Sequence, residues 1–174
     1  MKILVPYDFS SITRTALDHS LFLAKLAEAK IELLHIVEKE SQRADAEHNF
    51  KELMKLMHEE DRSLISTKVK FGDIFKDIAR EGAEGDFQML VMGTHGAKGL
   101  QKLLGSNAIK VITSGNLPFL VTQSKGPADT IKRIVMPVNL AKASLQLAQF
   151  AANAAKRCDA EIQIGHEPYP HAWL

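Results

Sequence analysis

Short apolar runs alternate along the chain with longer segments in which apolar residues recur at helical spacing. Ile3-Leu4-Val5, ended by Pro6, is typical of a strand buried on both faces. Ser10-Ser11 offers an N-cap for a helix with an apolar stripe over Ile12–Ala27. This alternation continues and predicts an α/β fold, an open parallel five-stranded sheet with helices on both faces. The later predicted elements are a strand over 31–37, a helix within 41–66, a strand over 69–71, a helix after Asp73, a strand over 87–92, a helix around 109–112 and a strand over 118–122.

The sequence pattern of the first residues recurs after a predicted linker over residues 124–131. Arg133–Asn139 mirrors Lys2–Asp8, and the match continues without a gap until His166 falls on His35. Such self-similarity indicates an internal repeat. We therefore expect a first domain over residues 1–123 and an incomplete second copy, a β-α-β arm, over residues 132–174. Because a lone β-α-β unit cannot bury both faces of its sheet, we expect either a truncated tandem protein or an arm that packs on the first domain or on a partner chain.

Composition narrows the class of protein. Hydrophobic residues make up 45% and charged residues 25% of the 174 residues, as in soluble globular proteins. The formal net charge of +1 gives no bulk attraction to nucleic acid or to an acidic membrane, so neither partner is expected. A single cysteine, Cys158, excludes an internal disulfide framework and fits a reducing compartment. With no signal-peptide pattern at the start, the expected location is the cytoplasm.

A glycine-containing segment follows the predicted strand over 87–92. Gly93 and Gly96 precede Gly105-Ser106-Asn107, which stands at the start of a predicted helix. A loop with little side-chain bulk lets backbone N–H groups approach a phosphate, and a helix N-terminus adds further donors. The Ser106 hydroxyl adds one more. The alternative is that the glycines only form a tight turn after the strand.

Asp8 and the histidines are the other candidate functional residues. At the carboxyl end of a parallel strand, the Asp8 carboxylate can accept from a ribose hydroxyl or hold a magnesium ion through water. Its alternative role is to cap the first helix. His95 either contacts a phosphate or is a solvated loop residue, whereas His35 and His166 are expected to be packed and hydrogen-bonded. No metal site is predicted.

Taken together, these motifs resemble the universal stress protein family over about residues 1–123. The matching segments are Val5–Ser10, Leu33–Ile36, the glycine pattern and Pro118–Val121. Two departures stand out. Eight residues separate Gly96 from Gly105, where the family pattern has nine. In the repeat, the positions equivalent to Asp8 and Ser10 are occupied by Asn139 and Ala141. The arm is therefore not expected to bind nucleotide in the same way.

The resemblance implies a Rossmann-like sheet of the adenine nucleotide α-hydrolase type, with the first and fourth strands adjacent. It implies a bound adenine nucleotide, ATP or a relative, with Mg²⁺ as a candidate accompanying ion. It also implies dimers formed through the fifth strand. The implied site places adenine and ribose near Pro6, Tyr7, Asp8 and Ile36, the base side at Met92, and phosphates near Gly93, His95, Gly96, Gly105, Ser106 and Asn107.

Three functions stay open at this point. The leading hypothesis is a stress-response regulatory module in which bound ATP sets conformation or partner choice with little or no turnover. The sequence has no Gly-Lys-Ser/Thr of a P-loop and no Gly-x-Ser-x-Gly elbow, so no catalytic residue is assigned. The alternatives are a nucleotide-free interaction protein, homodimeric through the fifth strand or the C-terminal arm, and a slow ATP hydrolase.

Overall fold

A computed structural model of the chain describes residues 1–94, 117–123, 125–127, 130–138 and 143–166. The chain divides into two units, Met1–Pro127 and Ala128–Leu174. Strands and helices alternate in the first unit, as the apolar pattern predicts. Its elements are β1 (Lys2–Pro6), α1 (Ser11–Ala27), β2 (Lys30–Val37), a 3₁₀ turn (Glu40–Gln42), α2 (Arg43–Lys55), α3 (Glu59–Arg62), β3 (Ile65–Phe71), α4 (Ile74–Glu84), β4 (Met89–Gly93) and β5 (Phe119–Thr122).

The five strands of the first unit form one parallel sheet in the order β3-β2-β1-β4-β5. The predicted fold class is therefore confirmed, and so is the adjacency of the first and fourth strands. From β1 the chain moves outward to β2 and β3, then returns across the sheet to β4. The direction of strand order thus reverses between β1 and β4, which is the feature that positions the site.

Apolar side chains cover both faces of this sheet because alternate strand residues point to opposite sides. Ile3 and Val5 of β1 pack in a core that includes the apolar stripes of α1 and α2. Leu4, between them, packs in a second core with Ile78 of α4. The short solid run in β1 is thus explained by burial on both faces.

The predicted helix within 41–66 is wrong in extent. This segment contains the end of the 3₁₀ turn and two separate helices, α2, which ends at Lys55, and α3. Strand β3 begins at Ile65, not at 69, because its residues pair with β2 from Ile31↔Ile65 onward. The helix predicted around 109–112 lies outside the described residues.

The second unit has a β-α-β arrangement: β6 (Arg133–Val138), α5 (Ala143–Cys158) and β7 (Glu161–His166). Its details repeat those of the first unit. β6 pairs with β7 from Arg133↔Glu161, just as β1 pairs with β2 from Lys2↔Lys30. Each helix ends at a residue with positive φ, 50° at Glu28 and 51° at Asp159. A backbone bond closes each end, Ala29 to Ala24 at 2.9 Å and Ala160 to Ala155 at 3.0 Å.

Candidate functional site

The carboxyl ends of β1 and β4 lie side by side where the strand order reverses. Ile3 pairs with Met89 and Leu4 with Leu90, so Pro6 at the end of β1 neighbours the end of β4 at Gly93. In open parallel sheets, a reversal of strand order leaves a crevice outside the strand ends, because the flanking connections leave in opposite directions. The fold therefore brings Asp8 and Gly93 to the carboxyl ends of the strands, where a ligand is expected.

Asp8 is exposed at this edge and is held through one carboxylate oxygen. Oδ1 accepts from the backbone N–H of Ser10 at 2.9 Å and from the hydroxyl of Thr13 at 2.8 Å. Desolvation by burial raises the pKa of Asp8, but these hydrogen bonds outweigh it and the pKa lies below its ordinary value. Asp8 thus supports the start of α1, while no described residue hydrogen-bonds to Oδ2.

Phe9 adopts a conformation that is rare for a large side chain, with φ at 66°. Its ring packs on Phe50 and His35, with centroids 4.9 and 5.0 Å away, and on Tyr7 at 5.4 Å. The conformation turns the chain sharply between β1 and α1. As a result the Phe9 ring packs against these aromatic side chains while Asp8, one residue earlier, is exposed at the strand ends.

The Tyr7 side chain is buried in the core beneath α1 and α2, away from solvent. Burial raises the pKa of its phenol, with Arg14 acting in the opposite direction. Its backbone N–H donates to Leu34 at 2.9 Å, and its carbonyl accepts from Nδ1 of His35 at 2.7 Å. The prediction that His35 is packed and hydrogen-bonded is therefore confirmed.

The remaining apolar site residues of the prediction are also buried. Pro6 is buried at the end of β1, and Ile36 and Met92 both belong to the core that includes Ile78 of α4. Ile36 and Met92 thus share one face of the sheet, on strands that flank β1. They form apolar surface beside the strand ends.

Gly93 has a structural reason to be glycine. A Cβ built at this position would overlap the backbone carbonyl oxygen of Ile12 in α1. The close approach of α1 to β4 therefore requires a residue without a side chain. Thr94, which follows, is buried and donates its N–H to Thr122 at 2.9 Å. His95, Gly96, Gly105, Ser106 and Asn107 lie outside the described residues.

Sequence reasoning missed Thr13 and Phe9. Thr13 lies three residues after the helix N-cap Ser10, a spacing at which a side chain reaches back, but nothing in the pattern linked it to Asp8. The positive φ of Phe9 has no sequence signal, since glycine, asparagine or aspartate is usual there.

A cavity of about 280 Å³ opens beside Phe9 and the end of β2. Glu38 and Asp45 line it, and none of its lining residues is Lys or Arg. The two acidic side chains disfavour a phosphate inside this cavity.

The described part of the chain has no group of three or more His, Cys, Asp or Glu side chains arranged to hold a metal ion. No helix in that part has the length and apolar character needed to cross a membrane.

The fold defines an α/β protein with one parallel five-stranded sheet whose strand order reverses between β1 and β4. Residues 1–123 match the model of the Universal stress protein family. The chain belongs to the universal stress protein family. A comparison with curated proteins found no significant match.

Solved structures share the fold. A universal stress protein from Archaeoglobus fulgidus DSM 4304 is 23% identical with a TM-score of 0.52, over 70% of this chain and 43% of that chain. A protein of unknown function from Pseudomonas aeruginosa PAO1 is 18% identical with a TM-score of 0.62, over 94% of this chain and 59% of that one. A universal stress protein in complex with cAMP is 15% identical with a TM-score of 0.54, over 72% and 98%. This chain thus spans about half the length of the first two.

Proposed function

We propose that the chain is a stress-response regulatory module that binds an adenine nucleotide, ATP in the leading hypothesis, at the carboxyl ends of β1 and β4. The observation that carries the proposal is the position of Asp8, an exposed carboxylate fixed where the strand order reverses beside Gly93. Family membership supports the ligand class, and so does the neighbour of the same fold that was solved with cAMP.

Each described residue has a proposed part in this site. Ile36 and Met92, with Pro6, offer apolar surface to the base. Asp8 accepts from a ribose hydroxyl through Oδ2, since Oδ1 already accepts from Ser10 and Thr13. Asp8 is ionised at neutral pH, as a carboxyl with a pKa below its ordinary value must be, so this oxygen is an acceptor only.

The proposal also assigns residues to the phosphates and to Mg²⁺. Gly96, Gly105, Ser106 and Asn107 are proposed to bind the phosphates, with His95 beside them. A carboxylate such as Asp8 suits Mg²⁺ held through water, because Mg²⁺ keeps much of its hydration shell. Tyr7 contributes position through its backbone, because its side chain packs in the core beneath α1 and α2, on the face of the sheet opposite to Ile36 and Met92.

Asp8→Asn and Asp8→Ala together separate the binding role from the structural one. Asparagine keeps an oxygen that can accept from Ser10 and Thr13 but lacks the charge, whereas alanine lacks both. We expect Asp8→Asn to keep the stability of α1 and to weaken ATP binding about tenfold or more, as for the loss of a charged hydrogen bond of about 1.5–3 kcal/mol. Asp8→Ala should weaken binding as much and also lower stability by about 1 kcal/mol.

Calorimetric titration of nucleotide-stripped protein with ATP, AMP and cAMP, with and without Mg²⁺, measures these affinities. Urea denaturation of each variant measures stability. Unchanged ATP affinity in Asp8→Asn would contradict the role of Asp8. An absence of binding by the parent protein at millimolar nucleotide would contradict the function as a whole.

The second candidate is a nucleotide-free homodimer that acts through its surfaces. β5 is the last strand at its side of the described sheet, and Val121 on it is 43% exposed. An apolar side chain on an edge strand favours pairing with another chain. Val121→Lys, compared with the parent by sedimentation, tests this contact, and an unchanged dimer would count against it.

We also propose that residues 132–174 are an incomplete second copy of the first domain. The shared strand register, the paired positive-φ residues and the matching bonds at the helix ends support this. Because Asn139 and Ala141 stand in place of Asp8 and Ser10, one nucleotide per chain is the stoichiometry expected from the titration.

A further inference from the structure

The turn from Tyr7 to Ser10, between β1 and α1, is fixed at both ends. At its start, the carbonyl of Tyr7 accepts from Nδ1 of His35 at 2.7 Å. At its end, the carbonyl of Ser10 accepts from the N–H of Arg14 at 3.0 Å, which is the first hydrogen bond of α1. The direction of the Asp8 side chain therefore depends on the backbone between these two ends.

Phe9 has an unfavourable backbone conformation inside this turn. Its φ of 66° lies in the left-handed region, where the Cβ of any residue but glycine comes too close to the backbone. The 2.9 Å hydrogen bond from the N–H of Ser10 to Oδ1 of Asp8 spans Phe9, so a change of φ at Phe9 moves donor and acceptor relative to each other. Such strain persists only where the surrounding structure opposes its release.

The ring of Phe9 connects this turn to other parts of the fold. It packs on Phe50 of α2 and on His35 of β2, with centroids 4.9 and 5.0 Å away. Phe50 is 2% exposed, so the Phe9 ring is anchored on the core of the first unit. The ring thus reaches two other elements, whereas the hydrogen bonds at Oδ1 of Asp8 come from residues close in the chain.

We propose that Phe9 is a positioning residue for the nucleotide site: its anchored ring holds the turn in the left-handed conformation and so fixes the direction of Asp8. The inference rests on the proposed function, because Asp8 is the residue assigned there to the ribose. A ring that resists rotation of the turn keeps Oδ2 of Asp8 in one place before the ligand arrives. Preorganisation of this kind raises affinity, because less order has to be imposed on binding.

Two substitutions separate the ring from the backbone conformation. Phe9→Gly removes the ring, but glycine adopts positive and negative φ about equally, so about half of the molecules keep the turn. Phe9→Ala removes the ring and keeps the steric penalty of the left-handed region, so roughly one molecule in ten keeps it. Because the apparent dissociation constant rises as the competent fraction falls, ATP with Mg²⁺ should bind about twofold more weakly to Phe9→Gly and about tenfold more weakly to Phe9→Ala.

The order of stability of the two variants is a test that needs no ligand. If Phe9 only filled space, Phe9→Ala would be the more stable variant, because alanine restricts the unfolded chain more than glycine does. In the proposed role the order is reversed, since alanine either bears the strain or loses the hydrogen bonds of the turn, and glycine does neither. We expect the urea midpoint of Phe9→Gly to lie above that of Phe9→Ala by about 0.5 M.

The carboxyl of Asp8 reports on its own position. Desolvation by burial raises the pKa of Asp8, but the hydrogen bonds from Ser10 and Thr13 outweigh it and hold the pKa below its ordinary value. Release of the turn loosens these bonds. The pKa of Asp8, followed by NMR of its carboxyl carbon, should therefore rise toward the ordinary value in Phe9→Ala, and rise less in Phe9→Gly.

Leu53→Ala is the control for a general loss of packing. Leu53 of α2 is buried in the same core, so its truncation should destabilise the full-length chain and leave both the ATP affinity and the pKa of Asp8 unchanged. Calorimetric titration of nucleotide-stripped protein measures the affinities, and urea denaturation measures stability.

Three results would overturn the role of Phe9. These are ATP binding or an Asp8 pKa in Phe9→Ala equal to that of the parent, a Phe9→Ala variant more stable than Phe9→Gly, and a loss of ATP affinity in Leu53→Ala as large as in Phe9→Ala. A parent chain that binds no nucleotide would instead contradict the proposed function. The order of stability and the pKa of Asp8 would then still decide whether Phe9 holds Asp8 in place.

Discussion

Glu81 links α4 to the edge strand of the sheet through ion pairs at a buried position. Its carboxylate is 7% exposed and contacts Nζ of both Lys68 and Lys70 on β3. Lys68 also lies 3.9 Å from a second buried carboxylate, Glu32. Replacing Glu81 by glutamine keeps its shape and removes its charge, so two lysines lose a partner that water only partly replaces.

The expected loss is about 2 kcal/mol. Removing one partner of a buried ion pair costs about 3–5 kcal/mol when the other charge is left without solvent. Here the lysine side chains are 40% and 31% exposed, so water screens them and the value falls toward the 1.5–3 kcal/mol typical of a charged hydrogen bond. The amide of glutamine does not recover this energy, because its oxygen carries no formal charge.

The loss should depend on pH with a definite sign. Desolvation by burial raises the pKa of Glu81, but the bonds to Lys68 and Lys70 outweigh it, so its pKa lies below the ordinary 4.5. A carboxyl with a depressed pKa contributes stability that is complete above the ordinary pKa and is lost as pH falls through the folded one. The difference between parent and Glu81→Gln should therefore be constant from neutral pH to about pH 5.5 and shrink below pH 4.5.

Urea denaturation of both proteins across this range measures the difference directly. Glu52→Gln is the matched control, because Glu52 pairs with Lys55 at the exposed surface, where water screens the pair and its loss should change stability little. A Glu81→Gln effect no larger than that of Glu52→Gln, or one that grows as pH falls below 4.5, would refute the reasoning.

Two further predictions concern packing near the site. Gly93→Ala should cost about 1–3 kcal/mol in urea denaturation, because the methyl group meets the carbonyl of Ile12, and a change below about 0.5 kcal/mol would show that α1 adjusts freely. Phe50→Ala should cost about 3–5 kcal/mol, since its ring is 2% exposed and packs on Phe9, whereas Leu56→Ala, 82% exposed, should stay within about 0.5 kcal/mol; similar losses in both would contradict the assignment of the core.

The local pattern of the sequence predicted helices and strands well where the signal comes from residues within one helical turn or one strand. Ser10 is the N-cap of α1, with Oγ accepting from the N–H of Thr13 at 3.4 Å. The alternation of Ile3, Val5 and Tyr7 indicates that the Tyr7 side chain is buried, whereas the resemblance implied a place for Tyr7 near the adenine and ribose. The start of β3 was misplaced because three polar residues, Ser66, Thr67 and Lys68, separate Ile65 from Val69 on an edge strand that solvent reaches.

The candidate site was predicted less fully than the fold. The residues alone placed Asp8 and Gly93 at strand ends, and the resemblance supplied the adjacency of β1 and β4. The local pattern of the sequence could not show why position 93 is glycine, because the atom that excludes a side chain there belongs to Ile12, far away in the chain. The link from Thr13 to Asp8 was missed for a related reason: a hydroxyl has many possible partners until the backbone is fixed.

The sequence by itself determined the order of the described strands and helices and the N-cap of α1, because these rest on contacts between residues near in the chain. It also showed directly that the opening pattern repeats. The tertiary structure alone decided that Phe9 turns with positive φ, that α1 approaches Gly93 closely, and that Glu81 meets two lysines of another element. These features depend on packing between segments distant in sequence, where shape and burial select one arrangement among many that the same local preferences allow.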